Sequence, residues 1–218
     1  MAEDLDCEAR NIEEALDNWS AQFPDEWSSW EHTLSCPYPL PSKDFYSSVV
    51  FNYSTPAYAA PWNTYYATKM LINSTRLKIF TFLHPDSGLP ACKQRCISHI
   101  KNMANHLASS LPFCLQKFKI VDAPTSSSNE FLMLNTYEEI KPYMAGLTVW
   151  PLGIASGLRD VDCEQRAWFR DTLTRLGKMT GDQVIESVDT DGWFDFDEYS
   201  KDMEHKPAAP RLEGLAAM

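Results

Sequence analysis

The fold of this chain is indicated by two apolar stretches broken by proline, Ser110-Leu111-Pro112-Phe113-Cys114-Leu115 and Val149-Trp150-Pro151-Leu152. Each stretch is attached to a segment whose apolar residues recur at helical spacing. Proline inside or beside a helix removes a backbone donor and forces a break or a kink, so this pattern is typical of a specified packing geometry. The two stretches therefore indicate helices that end or bend at defined points.

Helical periodicity continues along most of the chain. The first helix is predicted over residues 5–23, with Pro24 at its end and an apolar stripe made of Leu5, Ile12, Leu16, Trp19 and Phe23. Further helices are predicted over residues 61–83, 90–111, 142–156, 163–176 and 182–188. The fourth helix is almost entirely apolar, so we expect it to be central and buried on most sides.

Local signals predict where several of these helices begin and end. Prolines suit a first helical position, so Pro61 and Pro90 are expected to open the second and third helices. Pro112 is expected to stop the third helix. Asp162, followed by Gln165, is typical of an N-terminal capping pair for the fifth helix, which Gly177 is expected to terminate.

Strand patterns are weak in this sequence. No stretch shows sustained alternation of apolar and polar residues, and residues 24–54 are rich in turn formers and aromatic residues. We predict an all-α fold, an irregular multi-helix bundle with residues 24–54 as a long aromatic-rich wrapping segment of little regular structure. Residues 1–203 are predicted to form a single helical domain, with a loop at 122–130 between two lobes. Residues 204–218 are predicted to be a disordered tail.

Charge and composition restrict the classes of partner. The formal net charge is −11, and the 19 lysines and arginines are scattered, so direct binding to nucleic acid is not expected. No segment has the roughly 20 consecutive apolar residues that cross a bilayer, and no secretory leader is recognised. Six irregularly spaced cysteines are then interpreted as reduced, mostly buried thiols of a protein in the cytosol or nucleus.

Four segments occur in the order typical of one protein family. They are residues 60–73, 110–115, 149–152 and 162–168, which read APWNTYYATKMLIN, SLPFCL, VWPL and DCEQRAW. Together they resemble the C-terminal half of the regulatory domain of fungal zinc binuclear-cluster transcription factors. The resemblance covers roughly residues 10 to 200 and implies a nuclear role in gene regulation, commonly of a metabolic or secondary-metabolite pathway.

The DNA-binding module of that family is missing from this chain. Its zinc cluster needs six cysteines within about thirty residues, because two metal ions share bridging thiolates. The cysteines of this chain are spread over most of its length, at Cys7, Cys36, Cys92, Cys96, Cys114 and Cys163. The resemblance therefore implies a regulator that contacts other proteins, either as a fragment of a longer regulator or as a stand-alone remnant, and it leaves a small-molecule effector open.

Two groups of residues resemble metal sites. Cys92, Cys96 and His99 stand at i, i+4 and i+7, which places three zinc-ligand types on one helical face, but the nearest fourth ligand, His106, is two turns further along. Residues 189–198 resemble the second half of a calcium-binding EF-hand loop. Gly192 stands at its sixth position, Glu198 at the bidentate position and Asp189, Asp191 and Asp195 at ligand positions, while Ser187 brings no charge to the first. We predict no metal site at either place.

Catalytic motifs are incomplete. Ser156 lies one place too late for a nucleophile elbow, and no glycine-rich phosphate loop is present. No aspartate or glutamate stands at the spacing of a catalytic motif from any of the five histidines, which are His32, His84, His99, His106 and His205. We predict no catalytic residue, no cofactor and no enzyme activity.

A few aromatic and basic residues leave an alternative open. Trp150, Pro151 and Leu152 suit the wall of an apolar ligand pocket, although a tryptophan on such a helix is more often part of the core. Arg166 and Trp168 suit either pairing with acids of the first helix or covering a helix interface. The alternative function is a helical accessory enzyme or a small-molecule-binding protein of a biosynthetic pathway.

Overall fold

The computed structural model describes residues 2–34, 39–83, 91–122, 130–135, 142–182 and 185. These residues are mainly helical, which confirms the all-α prediction in its coarser form. The helices are α1 (Ala2–Ala21), α2 (Pro56–Leu83), α3 (Ala91–Cys114), α4 (Pro142–Gly157) and α5 (Cys163–Thr180). None of the described helices combines the length and the apolar character needed to cross a membrane.

Two small antiparallel hairpins accompany the helices and correct the expectation that the chain has no strands. Strands β1 (Trp30–Thr33) and β2 (Val49–Asn52) pair with Trp30 opposite Asn52, after a 3-10 turn at Asp25–Trp27. Strands β3 (Phe118–Asp122) and β4 (Glu130–Leu134) pair with Phe118 opposite Leu134. Strands of four or five residues are too short to show clear alternation, and in β2 the adjacent Val50 and Phe51 are both buried.

The start of α2 differs from the prediction, because the helix begins five residues before Pro61. Thr55 caps the helix: its Oγ1 accepts a hydrogen bond from the backbone N–H of Ala57 at 3.0 Å. Pro56 then occupies the first helical position, where the missing N–H costs nothing. Pro61 lies inside the helix and removes a single backbone bond.

The ends of α3 and α5 are set by residues with left-handed backbone conformation. Helix α3 continues past Pro112 to Cys114 and stops at Gln116, which has a φ of 55°. Helix α5 passes Gly177 and stops at Gly181, with a φ of 71°. A left-handed residue redirects the chain and lets the next N–H groups satisfy the last carbonyls, which is a stronger stop than a proline in the final turn.

The main core lies where α2, α3, α4 and α5 meet. It contains large side chains that are almost completely buried, namely Met70, Ile100, Leu107, Leu111, Leu152, Leu158, Phe169, Leu173 and Leu176. A smaller core of Leu34, Phe45, Val50 and Phe118 lies under the hairpins. Burial of this apolar surface contributes most of the favourable free energy that holds these elements together.

Helix α4 is less central than predicted. Tyr143, Leu147 and Trp150 are 64%, 41% and 48% exposed, and they form a stripe at i, i+4 and i+7, while Leu152 is completely buried. The helix thus buries one face. Several predictions lie largely or wholly outside the described residues: the sixth helix, the EF-hand-like loop, most of the loop at 122–130 and the tail.

Candidate functional site

Helix α1 packs against α2 with its charged face inward. The carboxylate residues Asp6 and Glu13 are both only 7% exposed, whereas Leu5, Ile12 and Trp19 are 51%, 47% and 39% exposed. An amphipathic helix ordinarily buries its apolar stripe. In α1 the stripe stands at the edge of the interface, so a large part of it faces solvent.

The cause of this orientation is the face of α2 that α1 covers. Lys69, Asn73 and Arg76 stand at i, i+4 and i+7 on α2 and are 5%, 0% and 9% exposed. Buried charges are tolerated when oppositely charged groups pair with them and satisfy their hydrogen bonds. The acids of α1 supply those partners, which an inward apolar stripe would not.

Glu13 is the hub of this network. Its Oε1 accepts hydrogen bonds from Asn73 Nδ2 at 2.8 Å and lies 3.2 Å from Lys69 Nζ and 3.1 Å from His99 Nδ1. Its Oε2 lies 2.7 Å from Arg76 Nη1. Three helices, α1, α2 and α3, therefore converge on one carboxylate.

The pKa of Glu13 reflects this surplus of donors. Burial by itself raises the pKa of a carboxylic acid, because the charged form loses water. Here the hydrogen bond from Asn73, the charge of Lys69 and the contact with His99 outweigh burial and lower the pKa of Glu13 from 4.5 to about 2. Glu13 is thus ionised at physiological pH.

Two further carboxylates extend the network along α1. Asp6 Oδ1 accepts from Arg76 Nε at 2.9 Å. Asp17 Oδ1 accepts from Lys69 Nζ at 2.7 Å and from the Tyr65 hydroxyl at 2.8 Å. The acids at i, i+7 and i+11 of α1 thus match donors that follow the same face of α2.

An aromatic cluster holds the C-terminal end of α1. The Trp19 ring lies 4.4 Å from Phe23 and 6.1 Å from Tyr65, and Phe23 lies 5.4 Å from Trp62, between ring centroids. Trp62 Nε1 also donates a 2.8 Å hydrogen bond to the carbonyl of Trp27. The cluster ties α1, the following turn and α2 into one surface.

The outward stripe of α1 and the adjacent face of α2 enclose a groove of about 440 Å³, which we call the α1–α2 groove. Its lining consists of Ile12, Ala15, Leu16, Trp19, Pro61, Thr64, Tyr65 and Thr68. The hydroxyls of Thr64, Thr68 and Tyr65 each donate to a group of the protein itself. The hydroxyls therefore need no hydrogen-bond acceptor from a ligand, and the groove is suited to bind an apolar surface.

The residues considered as zinc ligands do not lie together as a ligand set. Cys92 is exposed, Cys96 is buried and His99 contacts Glu13. Burial raises the pKa of the Cys96 thiol, which opposes the thiolate form that binds zinc. Across the described ranges, no group of three or more His, Cys, Asp or Glu residues is arranged to hold a metal ion.

The residues considered for catalysis and ligand binding occupy ordinary structural positions. Ser156 is buried, and its hydroxyl donates to the carbonyl of Gly153 at 3.0 Å. The interpretation of Trp150 as a core residue is wrong, since the side chain is 48% exposed. His106 packs between Phe51 and Tyr66, and burial lowers its pKa, which favours the neutral ring.

Trp168 covers an interface with the segment before β2. Its Nε1 donates to the carbonyl of Ser42 at 2.9 Å, and its ring lies 5.7 Å from that of Tyr46. The Asp162 cap is confirmed, because its Oδ1 accepts from the N–H groups of Glu164 and Gln165. In a full capping pair the side chain of Gln165 would accept from the backbone N–H of Asp162. Here its Nε2 instead donates to Asn105 Oδ1 at 3.1 Å.

A scan against models of protein families, a search of curated proteins and a search of solved structures each found no match to this chain.

The charged network between α1 and α2 was not predicted, although the residue spacings of the two helices contain a signal for it. Asp6, Glu13 and Asp17 stand at i, i+7 and i+11 on α1, and Arg76, Lys69 and Tyr65 stand at the same separations on α2, counted backwards along the chain. Matching charge spacings on two neighbouring helices predict an ionic interface. The apolar stripe of α1 is the stronger pattern, and it favours the opposite orientation, with the apolar residues buried.

Proposed function

We propose that this chain is a transcription regulator of the fungal regulatory-domain type that acts in the nucleus through protein contacts. The observation that carries the proposal is the exposed apolar edge of α1, which offers Ile12 and Trp19 to a partner. The family resemblance supports the regulatory role, and the net charge of −11 disfavours direct contact with DNA. In this proposal the irregular bundle and its wrapping segment, residues 24–54, are the scaffold that positions the groove.

The occupant that best fits the α1–α2 groove is an amphipathic helix of a partner regulator with basic residues beside its apolar stripe. Helix α1 carries seven acidic residues and one arginine, so its surroundings attract positive charge. The groove lies between α1 and α2. Binding of the apolar face of a partner helix in such a groove is a common mode of protein recognition. The basic flanks of the partner would meet exposed acids such as Glu8.

A reporter assay tests the proposal with the full chain fused to an unrelated DNA-binding domain in a fungal host. The wild-type fusion is expected to change transcription of a reporter that carries the matching DNA site. Ile12→Asp places a charge in the groove and is expected to remove most of this effect, because a desolvated, unpaired carboxylate opposes binding.

Cys7→Asp is the matched control, since Cys7 is an exposed residue of the same helix outside the groove lining. It should retain the wild-type effect. A wild-type fusion without influence on the reporter would contradict the regulatory role. Equal activity of the Ile12→Asp and wild-type fusions would show that the groove is not the contact surface.

The volume of the groove favours a second candidate function, the binding of a small apolar molecule. Its roughly 440 Å³ lie within the range of about 300–1,000 Å³ that is usual for ligand sites. The same variants distinguish the two functions. A ligand carrier should bind an apolar fluorescent probe in an Ile12-dependent way while its fusion leaves the reporter unchanged.

A further inference from the structure

A second concave site lies at the C-terminal end of α5. It measures about 260 Å³, and we call it the α5 cleft. Its apolar surface comes from Leu115, Leu176 and Met179, of which Met179 is 48% exposed. Lys117, Arg175 and Lys178 also line it. An apolar floor with cations at its edge suits a ligand that carries both aromatic rings and carboxylates.

The cations of the α5 cleft are only partly neutralised by the carboxylates described around them. Lys117 Nζ and Arg175 Nη1 lie 3.5 and 3.2 Å from Asp44 Oδ1, and Arg175 Nε lies 3.1 Å from Asp171 Oδ2. Arg175 already donates to Asp171, Asp44, the carbonyl of Lys43 and Thr172, so Lys178 is the lining cation without a carboxylate partner among the described residues. An acidic segment is therefore attracted to this cleft more than to most of the surface.

The chain itself contains such a segment shortly after α5. Residues 193–198, Trp-Phe-Asp-Phe-Asp-Glu, combine three aromatic residues with three acids, and they lie outside the described residues. Ile185 packs against the main core, so the chain is still beside the body of the protein four residues after Gly181. The eight residues from Ile185 to Trp193 span up to about 27 Å when extended, which is ample to return to the last turn of α5.

The α1–α2 groove is a poorer site for the same segment. Helix α1 has seven acids and one arginine, so it repels a peptide with three carboxylates. The α5 cleft offers Met179, whose sulfur makes favourable contacts with aromatic rings, beside cations for the carboxylates. Charge therefore makes the α5 cleft a more favourable site for this acidic segment than the α1–α2 groove.

We propose that residues 193–198 dock in the α5 cleft of their own chain, with aromatic rings against Met179 and carboxylates facing Lys178. A tethered segment reaches a local concentration of the order of millimolar, so modest contacts suffice to keep it bound. A partner protein that presents a similar acidic aromatic motif must displace it. The α5 cleft would then be a regulated contact surface, independent of the α1–α2 groove.

Limited proteolysis of the full chain with chymotrypsin tests this docking, because the protease cuts after the aromatic residues of the segment. Cleavage within residues 193–199 is followed by mass spectrometry and compared with cleavage of a synthetic peptide of residues 189–199. The docked segment should be cut more slowly than the peptide. Lys178→Glu should raise its cleavage rate about threefold to fivefold, since the rate follows the undocked population.

Lys101→Glu is the matched control, an equal charge change at an exposed position on α3, and it should leave the rate unchanged. Adding Asp195→Lys to Lys178→Glu restores opposite charges and should restore protection. This charge swap separates a direct contact from a general effect at the end of α5. Wild-type cleavage as fast as that of the peptide, or equal rates for the two lysine variants, would overturn the proposal.

Discussion

Helices α1 and α5 both pack against the body of this protein, but they bury different kinds of side chain. Helix α5 contributes Phe169, Leu173 and Leu176, all at most 1% exposed, to the main core. Helix α1 contributes Asp6 and Glu13 and leaves its larger apolar residues at the surface. Helix α5 is held by apolar burial, whereas α1 is held by paired charges along most of its length and by the aromatic cluster only at its C-terminal end.

The two kinds of contact respond differently to the loss of one partner, and this predicts which helix separates from the body first. Apolar burial is favourable wherever surfaces fit, and it spreads over the whole core. A buried ion pair gains little over an apolar contact of the same shape, because desolvation offsets much of the attraction, but it becomes costly as soon as one partner is lost. We therefore expect α1 to separate from α2 by local changes that leave the packing of α2 to α5 intact.

The largest expected effect is on the apolar side of the comparison. Phe169→Ala should lower the free energy of unfolding by about 3–5 kcal/mol, because it leaves a cavity in the main core. The loss should be visible in urea denaturation as a lower midpoint for the whole described body. Phe82→Ala is the control: Phe82 is 78% exposed, so the same change there should have almost no effect.

A somewhat smaller and more local effect is expected on the charged side. Arg76→Met removes the cation that Asp6 and Glu13 share, which should cost about 3 kcal/mol of α1 docking. Hydrogen exchange should show lost protection in residues 2–21 and retained protection in α3 and α5.

Arg10→Met provides the comparison for that experiment. Arg10 also contacts Asp6, at 3.1 Å, but its side chain is 59% exposed, so its loss should cost less than about 0.5 kcal/mol. Equal effects of the two arginine variants would contradict the view that buried pairing holds α1.

The smallest expected effect is a loss of α1 docking in acid. The pKa of Glu13 is about 2 in the folded protein and 4.5 ordinarily, so the folded state holds fewer protons than the unfolded state. The contribution of Glu13 to the free energy of unfolding is therefore fully present above about pH 4.5 and is lost as the pH falls toward 2. Without screening it would be about 3 kcal/mol, and the solvent that reaches the network beside the exposed Asp17 reduces it to about 2 kcal/mol.

Hydrogen exchange of α1 as a function of pH measures this loss. Glu13→Gln should make protection of α1 lower at neutral pH and nearly independent of pH between 4.5 and 2. Glu14→Gln, at the exposed neighbouring position, should behave like the wild type. An α1 that stays protected down to pH 2 would show that Glu13 does not govern docking.

Much of the helical architecture is predictable from the sequence, because periodicity and caps act over short distances. All five described helices are predicted, and the capping role of Asp162 is confirmed. Helix ends are predicted less well. Pro61 and Pro112 are wrong as boundaries, because each lies inside a helix that begins or ends at a better signal, such as Thr55 or Gln116.

The candidate site is less predictable than the fold. The sequence indicates an amphipathic first helix but favours the burial of its apolar stripe. The opposite orientation depends on Lys69 and Arg76, which are more than 50 residues away in the chain. Periodicity within one helix carries no information about the charges that a neighbouring helix will present.

Composition and local periodicity are enough to specify a chain that is mainly helical and strongly acidic. Which face of α1 is buried follows from its packing against α2 and not from its own residues. The physical reason is that a helix has two candidate faces, and the choice depends on the surface against which it packs. In this protein α2 presents buried cations, so leaving them unpaired would cost more than exposing Ile12 and Trp19 to solvent.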